Sequence, residues 1–212
     1  MATDPLGNLY REQGKYEQAE LLLLQALDIW ERALSPEHPQ VASALNSLGS
    51  LYYEQDKNEQ ARPLFQRALD IWEQALGSNH PDVALALKNL GRLYSAQGKY
   101  EQAKLFYQRA LHVWEQALGH DHPQVASPLN NLGFIYDKQG KYEQAKLFYQ
   151  RALYIWEQAW GPDHPNVAIS LTNLGELYCQ QGEYEQAKRL YERALRIWEQ
   201  AWGLTTQQLR LL

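Results

Sequence analysis

The residues able to do chemistry in this chain are mostly ones that recur at a fixed interval. His120, Asp121 and His122 put two imidazoles and a carboxylate within three positions, half of a zinc-type donor set. No further ligand accompanies them at metal-binding spacing, and His122 belongs to a His-Pro pair that recurs at His38, His80, His122 and His164. It reads as a helix start, so no metal or other cofactor is expected. Cys179 is the single cysteine. It lacks a histidine placed to form a thiolate pair, and it rules out an internal disulfide, which points to a reducing, cytoplasmic setting. Carboxylates are abundant, but Glu59, Glu101, Glu143 and Glu185 recur near helix starts. Negative charge there complements the helix macrodipole and does not form an acid/base pair. A glycine-rich phosphate loop, a His-Glu-x-x-His helix and a Gly-x-Ser-x-Gly elbow are all missing from the sequence. The expectation is a protein that is not an enzyme.

What recurs is longer than any motif. Gln97 to Leu111 is repeated without change as Gln139 to Leu153, an offset of 42, and close relatives stand at Gln13, Gln55 and Gln181. A fixed period of this size marks a repeat array, in which each unit buries its apolar face on its neighbours and no central core exists. Leu-Gly recurs at Gly7, Gly49, Gly91, Gly133 and Gly175, and tryptophan at Trp30, Trp72, Trp114, Trp156 and Trp198. These landmarks divide the chain into a truncated unit, 1–35, then 36–77, 78–119, 120–161 and 162–203, with a tail at 204–212. Residues 1–203 are expected to form a single solenoid.

Each full unit reads as two helices. Proline suits the first helical turn, where its missing N–H is not needed, so helix A opens at His-Pro. In the unit 78–119 the apolar residues Val83, Ala84, Leu87, Leu90, Leu93 and Tyr94 follow a 3.6-residue pattern. Gly98 ends this helix in the left-handed conformation. Helix B runs from about Tyr100 to Leu118, with Tyr100, Ala103, Tyr107, Ala110, Leu111 and Trp114 on one stripe. Gly91 and Ala103 are expected where the two helices approach closely, with the recurring tryptophans as inter-repeat core. Trp160 and Trp202 are extra, replacing leucine, and fall near inter-helix loops.

Three departures carry expectations. Asp56 stands in place of the turn glycine and Asn58 in place of tyrosine, while Pro63 removes a hydrogen bond early in its helix B. The turn at 55–63 is therefore expected to be the softest interior part of the array. Pro128 lies two turns into its helix A and is expected to bend it slightly. Neither residues 1–7 nor 204–212 read as the polar cap that solenoids normally carry, the pattern of a segment of a longer array or of an engineered one.

Bulk composition agrees with a packed, folded chain. The 212 residues are 45% hydrophobic and 12% aromatic, enough to exclude disorder, and the net charge of −5 lacks the basic excess of a nucleic-acid binder. No basic block suggests a membrane surface, the N-terminus has no apolar signal region, and the apolar run Leu21–Leu24 is far too short to span a bilayer.

Within each unit the pattern Leu45, Leu48, Gly49, Tyr52, Ala61, Phe65, Ala68 resembles the tetratricopeptide repeat signature. The usual 34-residue form closes helix B with proline; here helix B continues through Ile71, Trp72 and Glu73. The longer repeat is similar to the kinesin light chain type and its bacterial relatives, although tryptophan stands where light chains tend to carry arginine. The resemblance covers nearly all of residues 4–203. It implies an all-α, open right-handed α-solenoid of antiparallel helix pairs, with helix A lining a concave groove that takes an extended peptide or a partner helix.

Positions identical in every unit serve stacking, which every unit needs; positions that differ on one face are free of that task. After the glycine come Asn8, Ser50, Arg92, Phe134 and Glu176; three before it, Asn46, Lys88, Asn130 and Thr172; three beyond the first set, Arg11, Tyr53, Ser95, Asp137 and Cys179. Spacings of three and four place these sets on one helical face, which the resemblance identifies with the groove. Asn46 and Asn130 are expected to hydrogen-bond a peptide backbone, Lys88 and Arg92 to hold an acidic group, and Tyr53 and Phe134 to give apolar contact. The expected function is a non-catalytic scaffold for a protein or peptide ligand. An alternative is a structural array that self-associates head to tail. Neither reading involves nucleic acid or membrane.

Overall fold

The computed structural model describes residues 3–203, with side chains from residue 5 onward; the tail at 204–212 lies outside them. The described residues form ten α-helices and no strand. In chain order these are α1 (Thr3–Glu12), α2 (Tyr16–Ala33), α3 (Pro39–Glu54), α4 (Asn58–Leu76), α5 (Pro81–Ala96), α6 (Tyr100–Leu118), α7 (Pro123–Lys138), α8 (Tyr142–Trp160), α9 (Pro165–Gln180) and α10 (Tyr184–Trp202). They fall into two compact units that divide between Ala117 and Leu118. Odd-numbered helices are helix A of the repeat and even-numbered ones helix B.

Helix A starts as the His-Pro pair implies, and the histidine adds a cap. His38, His80, His122 and His164 hold extended backbone at the N-cap, and each Nδ1 accepts the backbone N–H two residues on, at 3.2–3.3 Å. One orphan donor of the first turn is thereby satisfied. The imidazoles of His-Pro are thus occupied with capping, and among the described residues no group of three or more His, Cys, Asp or Glu is placed to hold a metal ion.

Three-residue turns join A to B, so the two helices run antiparallel. At Gln97–Lys99 the Lys99 N–H reaches Tyr94 O at 2.9 Å and the Gly98 N–H reaches Ser95 O at 3.0 Å, the paired bonds of a Schellman motif. That motif favours an apolar contact across the turn, and here a lysine makes it over an aromatic ring. Lys15, Lys57, Lys99 and Lys141 sit 5.4–5.8 Å above Tyr10, Tyr52, Tyr94 and Tyr136. The fifth turn has Glu183 instead, and Lys146 from the preceding helix B covers Tyr178 at 4.9 Å. Asp56 makes the same turn bonds as glycine does, at φ +58°, the one described non-glycine residue with positive φ.

Within each hairpin the glycine of helix A admits a large side chain of helix B. A Cβ on Gly91 would stand 2.6 Å from the Tyr107 ring; Gly49 faces Phe65, Gly133 faces Tyr149 and Gly175 faces Tyr191 in the same way. Between hairpins, in the first unit, Leu48 and Leu51 of α3 bury against Ala19 and Leu23 of α2. In the second unit Leu174 and Leu177 of α9 bury against Ala145 and Tyr149 of α8. Trp72, Trp114 and Trp156 are buried as expected, whereas Trp30 and Trp198 are half-buried. Trp160 is exposed beside His164, and Trp202 stacks on Trp198. α4 passes through Pro63 and α7 through Pro128 as single helices.

Helix B is tied to the preceding hairpin by an arginine. Arg67 donates to Glu31 at 2.7 Å and to Pro36 O at 3.3 Å, Arg193 to Glu157 and to Pro162 O, and Arg109 to Glu73. These pairs are a third exposed or more on the arginine side, so each contributes little to stability and fixes geometry instead.

Two substitutions test this packing. Gly91→Ala drives a methyl into the Tyr107 ring and is expected to destabilise by about 1–3 kcal/mol in urea unfolding. Asp56→Gly relieves the left-handed strain and is expected to stabilise by about 0.5–1 kcal/mol, raising the unfolding midpoint.

Candidate peptide-binding face

The varying positions of helix A occupy one face in each unit, and the first unit holds the denser chemistry. Lys88 of α5 is half-buried with its Nζ 6.0 Å above the Trp114 ring of α6. Burial, with the positive charges of Arg92 and Arg11 adding to it, draws its pKa down to about 8. Arg92, one turn along α5, lays its guanidinium over the Tyr53 ring of α3 at 4.5 Å. Arg11 of α1 pairs with Glu54 at 3.6 Å. Three cations from α1 and α5 therefore share one electrostatic neighbourhood, floored by Tyr53 and Trp114. Ser50 lies on the same face, its hydroxyl turned back to Asn46 O at 2.9 Å.

The second unit presents the opposite sign. Glu176 is exposed and accepts the Tyr191 hydroxyl at 3.1 Å. Asp137 has its pKa raised, chiefly by burial, with Glu176 adding to the effect and Lys138 and Gln180 opposing it. Phe134 is half-buried beneath Lys138, 5.2 Å away, and Thr172 bonds back to Ala168 O at 2.8 Å. Cys179 is half-buried on the same helix.

Asn46 and Asn130 lie deeper than the other candidates, at 7% and 8% exposure. Each offers its Oδ1 to the following helix A: Asn46 to Asn89 at 2.8 Å, Asn130 to Asn173 at 3.0 Å and to Ser170 at 3.3 Å. Their carbonyl oxygens bridge successive repeats at the floor of the face, a buried polar rung of the kind that must be satisfied to be tolerated. The residue two before the glycine, asparagine at Asn89, Asn131 and Asn173, was the available signal for this rung. Sequence reasoning also missed Trp114 as a partner of Lys88, because a core tryptophan and a lysine 26 positions earlier show no common pattern.

The tetratricopeptide repeat profile matches residues 1–71, 40–113, 106–158 and 148–200. No curated protein matches. Among solved structures, BtubC (BKLC) from P. vanneervenii is 26% identical with a TM-score of 0.78 over 94% of this chain and 80% of that one. Two structures of nearly identical TPR-like repeats, described under the name of a kinesin light chain from Podosopora anserina, are each 22% identical. Their TM-scores are 0.74 and 0.72, covering 96% and 95% of both chains respectively, and they share the fold. Among the described residues no helix is long and apolar enough to cross a membrane. With its profile matches running across the chain and all-α repeat solenoids as its structural neighbours, this chain belongs to the tetratricopeptide repeat family, whose members are generally interaction or structural scaffolds.

Proposed function

We propose that the chain is a non-catalytic protein-interaction scaffold, its five hairpins serving one array, and that the helix-A face holds a peptide segment or helix of another protein. An acidic group of the ligand lies against Lys88 and Arg92, with Arg11 beside them. Tyr53 and Ser50 border that subsite, and Phe134, Thr172 and Glu176 provide a second, less basic one. Asn46 and Asn130 shape the floor.

The observation that supports this reading most is the placement of Lys88. A half-buried ammonium beside two guanidiniums is unfavourable for the isolated fold, since burial and like charge both oppose its protonation. A ligand carboxylate would reverse both effects, and a bidentate contact to Arg92 would orient it.

The free chain has the Lys88 pKa near 8. A bound carboxylate raises it, so binding takes up a proton. Affinity for a glutamate-rich peptide is then full below pH 8 and falls as pH rises past it, by about tenfold between pH 7 and 9.5. Fluorescence anisotropy with labelled glutamate-rich and lysine-rich peptides measures this. Lys88→Glu with Arg92→Glu is expected to abolish binding of the acidic peptide while circular dichroism stays unchanged; unaltered binding in a folded double variant overturns the reading.

Stability gives an independent check. Lys88 has a folded pKa below its unfolded value of 10.5, so its penalty is largest below pH 8 and fades as pH rises toward 10.5. Lys88→Met is expected to stabilise the chain by about 1–2 kcal/mol at pH 7, less at pH 10, while weakening acidic-peptide binding.

A further inference from the structure

Because the stacking positions recur in every repeat, unequal exposure at equivalent positions reports whether a neighbouring helix is present. Tyr149 of α8 lies over Gly133 and is 1% exposed, because α9 brings Leu174 and Leu177 onto it. Its counterpart Tyr191 of α10 lies over Gly175 in the same manner, yet it is only half-buried. With Cys179, Tyr184, Ala187 and Leu195 it lines an open apolar depression. The converse holds at α1. Leu48 and Leu51 are 2% and 0% exposed because α2 receives them; their counterparts Leu6 and Leu9 are 39% and 47% exposed.

The depression on α9 and α10 is a socket without its knobs, and Leu6 and Leu9 are knobs without a socket. We propose that the α9–α10 face of one copy of this chain receives α1 of a second copy, so that the internal junction of the repeat is reproduced between molecules. Each unit contains the template: leucines from helix A enter a socket of alanine and a large side chain on the preceding helix B. The knob and the socket are different surfaces, so the contact is heterologous and propagates. α1 offers ten residues where α3 offers sixteen, which makes the interface short and the association weak and concentration-dependent. This inference does not rest on the peptide-binding reading.

Sedimentation velocity on the 212-residue chain, from about 10 μM to 1 mM, tests it. The weight-average mass is expected to rise through and beyond the dimer. Leu9→Glu, lacking the knob, and Tyr184→Lys with Leu195→Lys, lacking the socket, are each expected to stay monomeric with unchanged helical circular dichroism. Mixed in equal amounts they form a heterodimer and nothing larger, since one intact knob meets one intact socket. The milder Leu6→Gln guards against a folding defect by weakening association without abolishing it. Lys88→Glu with Arg92→Glu leaves the mass unchanged, separating this test from that of peptide binding. A wild-type monomer throughout the range, single variants that associate like wild type, or a mixture that stays monomeric overturns the proposal. So does association that appears only after removal of residues 204–212, which identifies that segment as the occupant of the socket.

Discussion

A two-helix hairpin has more apolar surface than it can cover alone, and the contact that resolves this is a large side chain set against bare glycine. Tyr107 on Gly91 and Tyr149 on Gly133 bring helix A and helix B close enough that a single methyl would collide. Once the pair is that close, its outer faces present leucines on one side and an alanine-lined socket on the other, and the next hairpin becomes the remaining partner. The period of 42, the identity of Gln97–Leu111 with Gln139–Leu153, and the uniform placement of Leu-Gly all serve this one fit.

Polar groups at the junctions fix where each hairpin sits more than they hold it. The Asn46–Asn89 bond is buried, the Asn130–Asn173 bond partly so, and both are directional, so a shifted register would orphan amide groups at a cost of about 1–3 kcal/mol. The arginine clamps to the preceding helix B and loop carbonyl act from the outside. Between these constraints the helix-A surface is left free to vary, and it varies in charge: cationic around Lys88 and Arg92 in the first unit, anionic around Asp137 and Glu176 in the second. Function in such a protein is written in the residues that packing does not dictate.

Much of the fold was legible because its signals are local. His-Pro and the turn glycines mark helix ends within a residue or so, and the 3.6-residue stripes mark the buried faces; α6 runs over Tyr100–Leu118, the span those signals indicate. What stayed hidden depended on partners distant in sequence or on side-chain orientation. The capping role of His38 and its equivalents needs the ring turned back on its own backbone, which spacing does not encode. Asn46 and Asn130 share a helical face with Lys88 and Thr172, but only the folded chain reveals that they sit at its floor, bonded to the next repeat. Trp114 serves as core and as the surface under Lys88 at once, a double role that a once-per-repeat pattern conceals.

If stability comes from neighbour-on-neighbour stacking, different hairpins must open at different free energies. Native-state amide hydrogen exchange resolved helix by helix is the most direct measurement. Within residues 1–117, α3 and α4, which have a hairpin on both sides, are expected to be the most protected, with α1 and α2 exchanging at clearly lower opening free energy. A single opening free energy common to all of these helices would mean one shared cooperative core and would contradict the account.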